Sequence, residues 1–230
     1  MEILCTDTAD ARVEYWQKGR EEARSTTPLS RHRLRHTIVL TNLLPAQSYG
    51  YQVLTGHGKE LYKSKAYTFN TSGLPVWMKD LFNVICPDSS VLPENFRKGY
   101  VMVSRRDDPG ALFLLNAKGQ IVWYHQVNGT GFKVARFTGK NTFLALLGGA
   151  SYETSYGDEI MELSLTGDTL LDLKKGQGDF KQTIHHEILL NKQDQLVTLC
   201  VEERIVDLSS RGCSKKDTVK GDGILVLDRQ

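Results

Sequence analysis

The feature that most limits how this chain can fold is a hairpin that recurs. The segments "ALFLLNAKGQIVWYH" (111–125) and "IMELSLTGDTLLDLK" (160–174) both read as strand, glycine turn, strand, with Gly119 aligned on Gly167. A third copy, "GILVLDRQ" (223–230), supplies the first strand of the same hairpin. Two further strands precede each copy: "LFNVICP" and "GYVMVSR", then "FKVARFT" and "TFLALLG", then "HHEILLN" and "QLVTLCVE". A repeat of this kind specifies stacked units, each of which buries its apolar face on the next.

Helical spacing is poor throughout, and turns such as "NAKGQ" and "LTGD" carry hairpin chemistry. Four strands per repeat, at intervals of about 42 to 53 residues, predict the blades of a β-propeller. The expectation over 74–230 is two complete blades and a third lacking its outer strand, about two and three-quarter blades in all. Closed rings take about 4–8 blades. The chain is therefore expected to belong to a longer protein or to pair with a second copy as a homo-oligomer.

Residues 1–73 read differently, as short strands joined by turns. "ARVEYW", "HTIVLTNL", "SYGYQVL" and "KAYTFNTS" are the candidates, with Val13/Tyr15 and Tyr49/Tyr51/Val53 at the period of two that half-buried strands require. "NLLPAQSYGYQV" has the form of a sandwich corner, a Leu–Pro turn followed by a tyrosine whose phenol bonds back to nearby backbone. This stretch resembles a fibronectin type III β-sandwich without its usual first strand. The basic run "RHRLRH" (Arg31 to His36) fits an exposed turn or strand edge better than an anion patch. The whole is predicted to be all-β.

Composition excludes several functions. Lys and Arg number 29 against 27 Asp and Glu, a net charge of +2, which gives no field for nucleic acid or an anionic membrane. No apolar run approaches the roughly 18 residues of a membrane span, and "MEILCTDTADARVEYW" opens as strand-like sequence rather than a secretory leader, so the protein is expected either to be cytosolic or to begin upstream of this stretch. Cys5, Cys86, Cys200 and Cys213 have no metal-finger spacing; Cys200 and Cys213 flank a loop and could pair, with free thiols the alternative.

The chemistry-bearing residues cluster around "IHHE". In the predicted register His185 and His186 begin the inner strand of the third blade, at the mouth of the central channel. The same rim carries "SRRDDPG", "GGASYETSYGD" and the long segment "EERIVDLSSRGCSKKDTVKGDG". Adjacent strand residues point to opposite sides, so the two imidazoles are expected to differ in role. Glu187 could orient one of them. Arg105 and Arg106 on the rim, with Arg211, Lys215 and Lys216, could attract an anion or serve only solubility. Tyr152 and Tyr156 could stack on a ligand ring or stand on the loop without a partner. "YGDE" and "KGDG" do not match a calcium loop, and no third and fourth ligand accompany the histidines, so no metal is expected. The alternative for the histidine pair is an edge-of-core pair satisfied by backbone.

"TIHHEILLNKQDQLVTL" resembles the His-His-Asp/Glu strand of the bacterial arylsulfotransferases, aryl sulfate sulfotransferases that use no nucleotide sulfate donor. The layout is similar along the chain: a small sandwich, "GYVMVS…GALFLLNAKGQIVWYH", the paired histidines, then "GDGILVLD". The resemblance implies a six-bladed propeller that moves a sulfuryl group from a phenolic sulfate ester to another phenol through a sulfohistidine. It implies no cofactor and a periplasmic or extracellular location. It assigns His186, directly before the acidic residue, a functional role beside His185. It puts the nucleophilic histidine and the sulfuryl-binding arginine in later blades, so that this chain would hold a supporting part of the site and be inactive alone. The alternative is a non-catalytic sandwich-plus-propeller scaffold for adhesion or binding; a quinone-dependent dehydrogenase fits poorly, since the tryptophan-docking repeat occurs only at Trp123.

Overall fold

The structure, a computed structural model, describes residues 1–58, 60–83, 85, 91, 93–153 and 155–229. Strands account for 54% of it and helix for 5%, arranged in several sheets, so the chain is all-β. It divides into two compact units, Met1–Val101 with Leu114–Trp123, and Met102–Phe113 with Tyr124–Gln230.

The first unit is built on a long strand, β1 (Glu2–Gln17), whose antiparallel partners are β2 (Ser25–Thr26), β3 (Ser30–Thr37) and β4 (Ser48–His57); β4 in turn pairs with β5 (Glu60–Lys63) and β6 (Tyr67–Asn70). Alternation along β1 sends Ala11, Val13 and Tyr15 into a core shared with Ile38. The corner expected at 42–53 forms. Tyr49 is buried, and its phenol oxygen accepts the Leu44 N–H at 2.7 Å. The run "RHRLRH" is β3 itself, exposed from Arg31 to Arg35, with His36 buried and its Nδ1 2.8 Å from Ser30 Oγ.

A one-turn helix, α1 (Glu94–Lys98), precedes a three-stranded sheet of β7 (Val101–Arg105), β8 (Gly110–Leu115) and β9 (Ile121–Val127). Within the expected strand "LFNVICP", Leu81, Phe82, Asn83 and Ile85 carry no strand, and Val84, Cys86 and Pro87 lie outside the described residues. In the second unit β10 (Gly131–Phe137), β11 (Thr142–Gly148), β13 (Glu159–Ser164) and β14 (Thr169–Lys174) form a four-stranded antiparallel sheet in that order. A short strand, β12 (Tyr156–Gly157), heads the next sheet, followed by β15 (Ile184–Leu190), β16 (Leu196–Val206) and β17 (Asp217–Leu227). The segment expected as a long rim loop is instead mostly ladder: β16 and β17 pair from Leu196↔Leu227 out to Val206↔Asp217.

The two four-stranded sheets of the second unit pack face to face. Leu144 and Leu146 of β11 and Ile160 of β13 meet Ile184 and Ile188 of β15 and Leu196 and Cys200 of β16, with Phe180 and Leu227 closing the cluster. Burial on both faces explains why "TFLALLG" reads as a continuous apolar run rather than an alternating one. Cys5, Cys200 and Cys213 are all free thiols, so the possible Cys200–Cys213 bridge is not made; Cys200 serves as a core residue, and burial pushes its thiol pKa up. Among the described residues no helix is long and apolar enough to cross a membrane.

The second unit also buries charge, most completely at Glu162. Glu162 is 1% exposed, accepts the Thr142 hydroxyl at 2.6 Å, and is ion-paired with Arg229, whose guanidinium also reaches Asp194 at 2.8 Å. Removing one partner of a buried pair leaves an uncompensated charge. Arg229→Ala is therefore expected to destabilise the unit by about 3 kcal/mol, read as a lowered denaturant midpoint, while Leu170→Ala on the exposed face changes it little.

Candidate functional site

β15 begins as a regular strand and then departs from one. Ile184 pairs with Cys200 and His185 with Leu199, but the next partners are Ile188 and Thr198, so His186 and Glu187 form a two-residue bulge. His186 takes up the excess by adopting φ 61°, in the left-handed region that L-residues rarely enter. Its N–H bonds to Ser155 O at 3.0 Å, which ties the bulge to the segment leading into β12.

This turn changes where the second imidazole goes. The expectation that the two rings lie on opposite sides of the strand does not hold at the bulge. His185 is 2% exposed and His186 is exposed, yet their rings meet at right angles, 4.9 Å between centroids, with Nδ1 to Nδ1 at 2.7 Å. Tyr156, paired with His185 across β12 and β15, lies 4.9 Å from that ring and 5.8 Å from His186. The outer nitrogen of His186, Nε2, is 3.3 Å from Ser155 Oγ.

Asp222 reaches the same cluster from β17. Leu199 pairs with both His185 and Ile224, so His185 and Ile224 share a face, and Asp222 joins it two residues along. Its Oδ1 lies 3.3 Å from His185 Nε2, although the alignment is too poor for a hydrogen bond and that buried nitrogen has no hydrogen-bond partner among the described residues. Beside these groups is a cavity of about 400 Å³ lined by Tyr152, Tyr156, Thr183 and Asp222, with Glu203 and Lys220 at its side. Lys220 is committed to Glu203 at 3.1 Å. Burial, reinforced by the Asp158 carboxylate, holds the Tyr152 phenol above its ordinary pKa, so it remains a proton donor.

Of the residues singled out from sequence, His185, His186, Tyr152 and Tyr156 come together here. Glu187 does not orient a ring; it is ion-paired with Arg136 of β10. Arg105 donates to Asp108 O in the β7–β8 turn, and Arg106 is exposed; neither lines the cavity. Arg211, Lys215 and Lys216 lie around the tip of the β16–β17 ribbon, about 20 Å of strand from Asp222. Three groups escaped the sequence reading. Ser155 and Asp222 sit in segments read as loop, and Lys133, 3% exposed on β10, sends its ammonium to within 3.4 Å of Tyr152 O.

Chemically, the cluster offers an exposed imidazole, a hydroxyl beside it, aromatic rings on one wall and carboxylates on another. It can move protons and accept a hydroxyl-bearing ring. The bulge itself is open to test. His186→Gly and His186→Ala both delete the ring, but glycine also relieves the positive φ. The glycine variant is expected to be more stable than the alanine one by about 1 kcal/mol in denaturant unfolding. No protein-family model matches this chain, and no curated protein does.

Proposed function

We propose that the chain is the N-terminal portion of a nucleotide-independent arylsulfotransferase, with a fibronectin type III-like sandwich over 1–73 and propeller blades over 74–230. Stacked four-stranded antiparallel sheets with a shared apolar core support the blades. The antiparallel first unit with its Tyr49 corner supports the sandwich. The observation that carries the activity is the exposed His186 ring, turned by its bulge against buried His185 and Tyr156 beside a cavity. In this reading a phenolic sulfate ester and a phenol are the substrates. Tyr152 and Tyr156 flank the aryl ring, and His186 exchanges the proton of the phenolic oxygen.

Sulfuryl transfer spreads negative charge over oxygens, which cations and N–H donors must meet. The cavity lining has the opposite balance, with Asp222, Glu153 and Glu203 against Lys220. The groups that bind the sulfuryl oxygens, and the histidine that carries them, are therefore assigned to later blades, and this chain by itself to an inactive supporting part. The setting that goes with this reading is periplasmic or extracellular.

The intact gene product should release nitrophenolate from nitrophenyl sulfate in the presence of a phenol acceptor. His186→Asn should lower that turnover by about 100-fold or more. Absence of turnover with every phenol tried would remove the enzyme reading and leave a sandwich-plus-propeller binding scaffold.

A further inference from the structure

We infer that Ser155, His186, His185 and Asp222 form a one-way proton relay that makes the Ser155 hydroxyl a nucleophile toward activated phosphoryl esters. The inference goes beyond sulfuryl transfer and does not rest on it.

The direction of the relay follows from which atoms meet. An ionised carboxylate accepts and never donates. The Asp222 oxygen 3.3 Å from His185 Nε2 therefore selects the tautomer with its proton on Nε2. Poor alignment denies this contact the status of a hydrogen bond, but Nε2 is buried and has no other partner among the described residues, so the carboxylate charge decides. His185 is then bare at Nδ1. Only one proton fits between two ring nitrogens 2.7 Å apart, so His186 must supply it from its own Nδ1. That leaves His186 bare at Nε2, the atom 3.3 Å from Ser155 Oγ. The hydroxyl must donate there.

Each link thus orients the next, from an exposed carboxylate through a buried ring and an exposed ring to a hydroxyl. The logic is that of a serine–histidine–aspartate triad with a second imidazole interposed. Neighbouring charges leave it intact: Glu187 is turned onto Arg136, and Lys220 onto Glu203. The bulge matters because it brings both Nδ1 atoms together, which a regular strand would not do. His186 is exposed and Ser155 half-buried, so an electrophile can approach from solvent.

The probe is a fluorophosphonate. Ser155 Oγ attacks phosphorus, the O–P bond forms as the P–F bond breaks, fluoride departs, and the hydroxyl proton passes to His186 Nε2. The intact protein should gain a single phosphonyl group, mapped by peptide mass spectrometry to Ser155 and absent from Ser155→Ala. The rate should fall about 100-fold in His186→Asn and also fall in Asp222→Asn, both changes at exposed positions. No adduct on Ser155, or equal rates in wild type and His186→Asn, overturns the proposal. A second readout needs no variant: long-range ¹⁵N–¹H NMR of the histidine rings should give His186 protonated at Nδ1 and His185 at Nε2. A His186 ring protonated at Nε2 overturns the relay whatever the labelling shows.

Discussion

Between His185 and Ile188, β15 carries two residues that β16 does not match, and a strand absorbs such an excess only by turning part of its backbone out of the extended region. His186 is where this happens. A non-glycine residue there costs on the order of 1–2 kcal/mol, and the cost is tolerated when surrounding structure over-determines the conformation. Here Ile184 and Ile188, on either side of the bulge, are both anchored at 0% exposure in the core between the two sheets. With both ends fixed, the intervening residues cannot slip into register.

Other features of the site follow from that anchoring. Ser155 is held because its carbonyl takes the His186 N–H, and Tyr156 because it pairs with His185 in β12. Thr198 Oγ1 donates to Glu187 O at 2.6 Å, satisfying a carbonyl that the bulge removes from the ladder. Glu187 is drawn to Arg136 on the neighbouring sheet. The exposed imidazole is thus mounted on a strand rather than on a mobile loop, which is the condition for holding a reactive group in a fixed geometry.

Much of this architecture was legible in the sequence. The hairpins at 111–125 and 160–174 form where the glycine turns put them, period-two patterning located β1 and β4, and the repeat located β10, β11 and β15. What could not be read was the bulge. Strand logic places consecutive side chains on opposite faces, and nothing in "IHHEIL" announces that its third residue breaks the alternation. The same blindness hid Asp222. "VKGDGI" has the glycines of a loop, yet pairing with β16 carries it into a ladder, because the cross-strand partner and not local propensity decides. Lys133 escaped for a related reason. A lysine on a strand reads as solvent-facing, and its burial depends on the Tyr152 carbonyl arriving from elsewhere in the chain.

Under the proposed function, the charge of the cavity bears on how the work of a transfer site is divided. Carboxylates beside aromatic rings repel a sulfate ester but suit a neutral phenol, whose hydroxyl they can accept and whose ring the tyrosines can flank. In the proposed reading this chain therefore forms the acceptor and leaving-group wall, where a proton is exchanged, while cations borne elsewhere stabilise the transferred group. The two demands conflict when placed together, since a cation beside the imidazoles would lower their basicity and a carboxylate beside the sulfuryl oxygens would oppose their charge. In that reading, separating them onto different sheets lets each be met, and the His185–His186 pair, with a carboxylate at one end and a hydroxyl at the other, is the half concerned with protons.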